Sequence, residues 1–198
     1  IKVGRNREFT QCDIDVVGIK SLLAEAEYFT MIVEAFKKLD LEVEIDFNNR
    51  KLLTGLIKYV VGDISEELIK ELIMIIDKFA KMSNEDLLEE FEYRGVSAEK
   101  YNQLRTLLSK EYKELSEMLS GCENELIIEG LKEVSELYNY IEGTEAIKYV
   151  RFTPYLARGI DIYTGTVWEI FLKDRKILDK DFNLSIGGGG RYDRIISE

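Results

Sequence analysis

The amino-acid sequence predicts an α+β fold: a sheet domain interrupted by a helical insertion. Three observations carry that expectation. Strand-like patterns lie at both ends of the chain, with a long helix-period stretch between them. Leu41-Glu-Val-Glu-Ile-Asp-Phe47 alternates apolar and acidic residues at period two, the pattern of a strand with one buried face. The net charge of −11 is carried by the middle alone, since Val61 to Gly143 holds 20 acidic and nine basic residues and the remainder holds 18 of each sign. The expected division is residues 1–60 as the first part of the sheet domain, 61–143 as the helical insertion and 144–198 as the second part. Two independent domains would not leave strands on both sides of the helical block.

The elements follow in order. Phe9 to Gly18 reads as a strand and Ile19 to Leu39 as a helix. The alternating strand over 41–47 is broken by Asn48-Asn49, and Lys51 to Val60 is again helix-like. Asp63 with Glu66, and Ser83 with Asp86, look like N-caps with an acid at the third helical position, and Ser97 starts a further helix. Gly95, Gly121 and Gly143 are stops. From Ile147 onward aromatic and β-branched residues crowd together, and Thr164 to Leu172 and Phe182 to Ile186 are the expected strands. The glycine run Gly187 to Gly190 follows, with a helix start after Arg191.

Composition excludes several kinds of chemistry. The chain has no histidine, and its two cysteines, Cys12 and Cys122, form no CxxC pair. A Cys/His zinc site and any Ser-His or Cys-His nucleophile are therefore excluded within this chain. Chemistry must run on carboxylates, Arg, Lys, Tyr or backbone dipoles. No apolar run approaches the ~18 residues of a membrane helix, and the N-terminus has no signal-peptide pattern; a cytoplasmic protein is expected. The acidity of the middle segment argues against a simple grip on a phosphate backbone.

Three clusters could carry function. If Phe9 to Val16 is one strand, Gln11, Asp13 and Asp15 share a face. That face is either a solvated exterior or a pocket floor, where carboxylates would favour an ammonium or a ring N–H. In Ala157-Arg-Gly-Ile-Asp-Ile-Tyr-Thr-Gly-Thr-Val-Trp-Glu169, Arg158, Asp161, Tyr163 and Thr164 lie between glycines. Arg158 and Tyr163 can line one site only if the chain turns near Gly159; otherwise this is a glycine-containing strand with a surface arginine. Ile186-Gly-Gly-Gly-Gly-Arg-Tyr-Asp193 could bring backbone N–H groups to an anion, leave room for a flat ligand, or be a flexible loop. It is neither a P-loop nor GxGxxG.

Together the clusters are more specific. Arg7-Glu-Phe-Thr-Gln-Cys-Asp-Ile-Asp-Val-Val-Gly18 resembles the end of motif 2 of histidyl-tRNA synthetases. Arg158-Gly-Ile-Asp-Ile-Tyr-Thr-Gly-Thr-Val-Trp-Glu169 resembles their histidine-binding motif, and Gly189-Gly-Arg-Tyr-Asp193 the glycine-rich segment after it. The order matches, with a helical insertion between the first two. The resemblance implies part of a class II antiparallel sheet with flanking helices, and a parent that activates histidine with ATP and transfers it to tRNA(His). It implies that Gln11 and Asp15 hold the substrate amine and imidazole, and that Tyr163 and Tyr192 line the histidine pocket. Phe9 would stack on adenine, and Arg5 and Arg7 would lie near the ATP phosphates, with Gly189 and Gly190 also at the nucleotide. Arg158 would contact the α-phosphate and the substrate carboxylate, as the catalytic residue. Ile162 stands where the family has a second tyrosine, so one pocket wall differs.

The implied cofactors are ATP as a substrate with its Mg2+, and no resident metal. The implied partners are histidine, ATP and tRNA(His) in a parent that is a homodimer, with neither membrane nor DNA. Motif 1, the threonine-arginine-proline-glutamate loop, the first strand of motif 2, motif 3 and an anticodon domain are not found, so an internal fragment, inactive alone, is expected. Two rivals stand beside this reading. One is a catalytically silent paralogue, such as the regulatory subunit of ATP phosphoribosyltransferase or the synthetase-like domain of a stress kinase. The other is a pure interaction module. Arg158 together with Gln11 and Asp15 favours the synthetase, because a silent regulator has no need of an α-phosphate arginine.

Overall fold

A computed structural model describes residues 8–159, 162–177 and 180–195. A four-stranded sheet has the order β2-β1-β3-β6, built from β1 (Val43–Asn49), β2 (Val150–Phe152), β3 (Thr166–Leu172) and β6 (Gly187–Gly190). Strands β4 (Lys176–Ile177) and β5 (Lys180–Asp181) form a small separate hairpin. The sheet is mixed: β3 runs antiparallel to β1 and β6, but β1 and β2 are parallel, with Ile45 opposite Val150. The antiparallel sheet with flanking helices that the resemblance implies is thus present, with one parallel pair at its edge. Parallel neighbours need a long crossover, and the helices between β1 and β2 supply it.

The helices are α1 (Leu23–Lys38), α2 (Arg50–Val61), α3 (Glu66–Ile76), α4 (Asn84–Tyr93), α5 (Ala98–Leu108), α6 (Tyr112–Met118) and α7 (Glu125–Ile141). No strand is present among the described residues between α2 and α7. Ser83 and Ser97 cap α4 and α5, accepting from the backbone N–H of Asp86 and Lys100. The cap of α3 is Ser65, whose hydroxyl accepts from Leu68 N–H, rather than Asp63. Both residues offer a cap oxygen; the one in register with the apolar stripe of α3 took the position. Gly95 and Gly143 adopt positive φ of 79° and 83°, ending α4 and α7 as glycine can.

The sheet has two unlike faces. Val43, Ile45 and Phe47 point to the side covered by α1 and α7, where the Phe47 ring centroid lies 5.8 Å from Phe29 and 5.4 Å from Tyr138. Glu44 and Asp46 point to the other side. There Arg151 forks onto Asp46, with Nε and Nη2 2.9 and 3.0 Å from its two oxygens, and Arg175 approaches Glu44 at 3.3 Å. The alternation read from the sequence is therefore real, but its acidic face is half-covered rather than solvated, because β1 is central.

One buried apolar cluster runs without a break from α1 through the sheet to α3, α5 and α7. Helices α2 and α7 approach closely through two glycines. A Cβ on Gly130 would fall 2.6 Å from Leu52 N, and one on Gly55 would fall 2.9 Å from Ile127 N. At the start of α2, buried Asn49 caps the helix, accepting from Lys51 and Leu52 N–H, and its amide donates to Glu133 of α7 at 2.6 Å. Asn49→Ala should lower unfolding free energy by roughly 2–4 kcal/mol, the sum of a lost cap and a lost charge-assisted bond. Urea denaturation checks this; a loss under about 0.5 kcal/mol, the level of a surface change, would contradict it.

Two expected elements are absent. Residues 9–16 form no strand; they run exposed along the end of the sheet, tied by a 2.8 Å bond from the Tyr28 hydroxyl to the Ile14 carbonyl. Alternation tells which way side chains would face once paired, and no described strand pairs with this segment. Residues 182–186 are also irregular, and the glycine run itself is the strand. After Arg191 the chain makes one short 3-10 turn, Asp193–Ile195.

Candidate functional site

The glycine strand decides the geometry of the site. In β6 the missing side chains leave hollows on both faces, and aromatic and guanidinium groups fill them. A Cβ at Gly189 would lie 2.4 Å from the Trp168 ring, one at Gly190 2.5 Å from the Tyr163 ring, and one at Gly188 2.1 Å from Arg158 Nη1. Any residue but glycine would clash. The run serves as a flat bed for side chains, not as the anion-binding loop that its composition also allowed. Its alternation places Tyr163 and Arg158 on the polar face, over Gly190 and Gly188, and Trp168 on the helix-covered face.

Arg158 is half-buried and carries no ion pair among the described residues. Nη1 donates to the Trp168 carbonyl at 3.2 Å, and the guanidinium carbon stands 5.5 Å from the Tyr163 ring centre. The backbone at Arg158 is fixed by Arg50, whose Nη1 donates to the Arg158 carbonyl at 3.3 Å. The Arg158 guanidinium and the Tyr163 ring do meet, as a shared site requires. Among the described residues the rest of the N–H fork has no partner and stands beside open space.

That space is a cleft of about 1570 Å3 lined by Phe9, Gln11, Asp15, Arg158, Tyr163 and Gly187 to Tyr192, with Tyr28 and Trp168 forming its helix-side wall. It exceeds the ~300–1,000 Å3 of common small-ligand pockets, so it has room for more than one small molecule. The candidates share this cleft but do not all aim at one point. Gln11 turns its amide onto Asp13 at 2.6 Å. Asp15 accepts a short bond from the Tyr192 hydroxyl. Phe9, 71% exposed, sits at the rim. Ile162 is 40% exposed and lines no part of the cleft. Arg5, Arg7 and Asp161 lie outside the described residues.

The bond to Asp15 pushes the Tyr192 phenol up to about 12, helped by burial and by the Asp15 charge. A phenol whose folded value exceeds its unfolded value of 10 stabilises the fold fully below pH 10, and that contribution is lost as pH rises from 10 through about 12. Tyrosinate absorbance of wild type minus Tyr192→Phe should therefore titrate near pH 12. A midpoint at the ordinary value of ~10 would show that the bond to Asp15 does not form in solution.

Sequence reasoning missed the clamp that holds this region. Arg191 donates to Glu25 at 3.1 Å, to Asp193 at 2.9 Å and to the carbonyls of Ile19 and Lys20. Its own backbone joins Thr164 and Thr166, so one residue ties α1, the 162–165 turn and β6 together. Burial of Arg191 opposes its charge, but the bonds to Asp193 and Glu25 outweigh that opposition. Glu25 is 3% exposed, and burial raises its pKa against the pull of Arg191. An acid on the same helical stripe as Ala26 and Phe29 was the available signal. A metal is a different matter. Among the described residues no group of three carboxylate or thiol side chains could hold one.

The comparisons with known proteins agree with the motifs. The family profile described as histidyl-tRNA synthetase matches residues 2–198. A Bacillus cereus protein named histidine–tRNA ligase 1 is 41% identical over 197 residues, covering 99% of this chain and 45% of the relative. A Shouchella clausii protein named histidine–tRNA ligase 2 is 38% identical, covering 100% of this chain and 45% of the relative. The chain thus spans somewhat under half the length of these curated relatives. Among solved structures, a histidyl-tRNA synthetase from Nostoc sp. PCC 7120 superposes with a TM-score of 0.73 at 30% identity, covering 87% of this chain and 40% of that one. A Bacillus halodurans structure described as an ATP phosphoribosyltransferase regulatory subunit/histidyl-tRNA synthetase reaches 0.72 at 22% identity, covering 90% of this chain and 44% of that one, a likeness of fold alone. Motif order, the pairing of Arg158 and Tyr163 over the glycine strand and a match across the whole chain lead to one conclusion: the chain belongs to the histidyl-tRNA synthetase family.

Proposed function

We propose that this chain is the substrate-binding part of a histidine–tRNA ligase catalytic domain, acting within a longer protein. The observation that carries the reading is Arg158. It is a half-buried guanidinium with a single side-chain hydrogen bond among the described residues, poised over glycine at the wall of a large cleft. Activation joins the histidine carboxylate to the α-phosphate of ATP and displaces pyrophosphate. Negative charge grows on the phosphoryl oxygens as the bond to pyrophosphate lengthens. A guanidinium held in place beforehand stabilises that charge without reorganising. The free part of its planar fork can bridge carboxylate and phosphate.

The remaining residues take binding roles in this proposal. Asp15 and Gln11 accept and donate to the amine and imidazole of histidine, once ligand displaces the Tyr192 and Asp13 bonds they make now. Tyr163 and Tyr192 wall the amino-acid side of the cleft, and Phe9 at the rim supplies a face for adenine. Gly189 and Gly190 keep the strand surface thin enough for substrates to lie close to Arg158. The helical stretch between residues 61 and 143 is proposed as the family's insertion, reaching tRNA(His) from outside the sheet, and the parent is proposed as a cytoplasmic homodimer. The test is histidine-dependent exchange of pyrophosphate into ATP by the full-length protein. Exchange that requires histidine and is lost in Arg158→Ala supports the ligase. A folded full-length protein without exchange would move the reading to a silent regulatory paralogue.

A further inference from the structure

The polar face of the sheet holds one carboxylate that nothing so far explains. Glu169 is half-buried near the centre of β3 and makes no hydrogen bond or ion pair among the described residues. The acids of β1 on that face are engaged: Asp46 with Arg151, and Glu44 with Arg175. In the antiparallel ladder Glu169 stands directly opposite Gly188. Residues so paired have Cβ positions ~4.5–5.5 Å apart on the same face. The place of a side chain at Gly188 is filled by the Arg158 guanidinium. Glu169 and Arg158 are therefore cross-strand neighbours in effect, although Arg158 belongs to neither strand.

We infer that Glu169 is the positioning residue for the Arg158 guanidinium, holding it over Gly188 from across the ladder without taking up its N–H donors. The inference rests on the ligase reading of Arg158. A carboxylate in direct contact would form a bidentate pair and occupy the fork that substrate anions need. A carboxylate one ladder step away attracts the same cation through a poorly hydrated region, where charges act over longer range. The bond from Nη1 to the Trp168 carbonyl fixes one end of the fork, and Glu169, the next residue, biases its tilt.

The surrounding charges fit this role. Glu169 feels Arg158 as its main stabilising charge, with Lys81 adding to it and Asp77 and Asp46 opposing. Asp77, at the end of α3, feels Lys81, Arg158 and Lys78 in turn. Burial raises the pKa of both acids. A half-buried carboxylate without a bonded partner among the described residues is unfavourable for stability, so stability alone does not account for its presence.

The test is a double-mutant cycle in the full-length ligase, measuring histidine activation together with thermal melting. Glu169→Gln keeps size and shape and removes the charge. Its kcat should fall by about 10- to 100-fold, the loss typical of a misplaced reacting group, with KM for histidine changed less than about threefold. Glu169→Asp should recover part of the rate. In an Arg158→Ala background the same Glu169→Gln change should alter the rate by less than about twofold, because it acts only through the arginine. Removing a half-buried charge should leave melting unchanged or raised. The inference is overturned if Glu169→Gln works normally, if its effect is as large without Arg158, or if melting falls by more than about 5 °C in step with activity. A normal rate in Arg158→Ala alone would instead sink the ligase reading; slow Arg158→Ala with normal Glu169→Gln sinks only the positioning role.

Discussion

If the proposed ligase reading holds, Arg158→Ala in the full-length protein should slow histidine activation by about 100- to 1,000-fold, roughly 2.7–4 kcal/mol, while histidine binding weakens far less. The reason is differential. The guanidinium meets little extra charge in the ground state and much more as the α-phosphate becomes five-coordinate, so its loss falls on the transition state. Lysine should rescue only partly, since a single ammonium cannot reproduce the fork that now spans the Trp168 carbonyl and the open cleft. Folding should be nearly untouched, because among the described residues the Arg158 side chain contributes one hydrogen bond and a contact with the Tyr163 ring. Pyrophosphate exchange with melting curves as control separates the outcomes. A surface arginine would give a change within a few-fold, and near-normal exchange in a folded variant would remove the catalytic assignment.

The second large effect is on stability and lies away from the cleft. Gly130→Ala should destabilise the protein by about 2–3 kcal/mol, even though alanine is the better helix former by ~1 kcal/mol. The new methyl would meet the Leu52 backbone, its N at 2.6 Å and Cα at 2.7 Å, where no side chain can rotate away. Helices α2 and α7 would have to separate, loosening the Asn49–Glu133 bond beside them. Gly121→Ala is the control. A Cβ there meets nothing within 4 Å, and it should be neutral within ~0.5 kcal/mol. Equal stability of the Gly130 and Gly121 variants in urea would mean that the helices are not in such close contact in solution.

The sequence carried the local features well. Asn49 begins a helix, although it and Asn48 belong to β1 rather than breaking it after Phe47; Ser83 and Ser97 capped as serines do, and the alternation of 41–47 marked two faces correctly. These are short-range signals, written within a few residues. What failed depended on distant partners. Residues 9–16 have strand alternation and no described strand to pair with. The glycine run was ambiguous because glycine permits both a loop and a thin strand; only the rings of Trp168 and Tyr163 and the Arg158 guanidinium, brought over it by the fold, decide the matter. Arg191 and Glu25, 166 positions apart, could not be paired from composition. For the cleft, the motifs named Arg158 and Tyr163 as neighbours, whereas Tyr28, Trp168 and Arg191 were found only from coordinates.

The parallel pairing of β1 with β2 also shapes how the chain reaches its native state. Asp46 and Arg151, which join them, are 105 residues apart. Ring closure over such a span is entropically slow if the intervening chain is unfolded, and folding rates fall as contacts become less local. Here the span is almost entirely helical, and helices can form from contacts within a few residues. Each one that forms shortens the effective tether between the two strands, and the Gly55–Gly130 crossing of α2 and α7 brings the last helix back beside the first. By this argument from locality the helical block acts as a splint, and the strands over which Arg158 lies should close on ends already brought together.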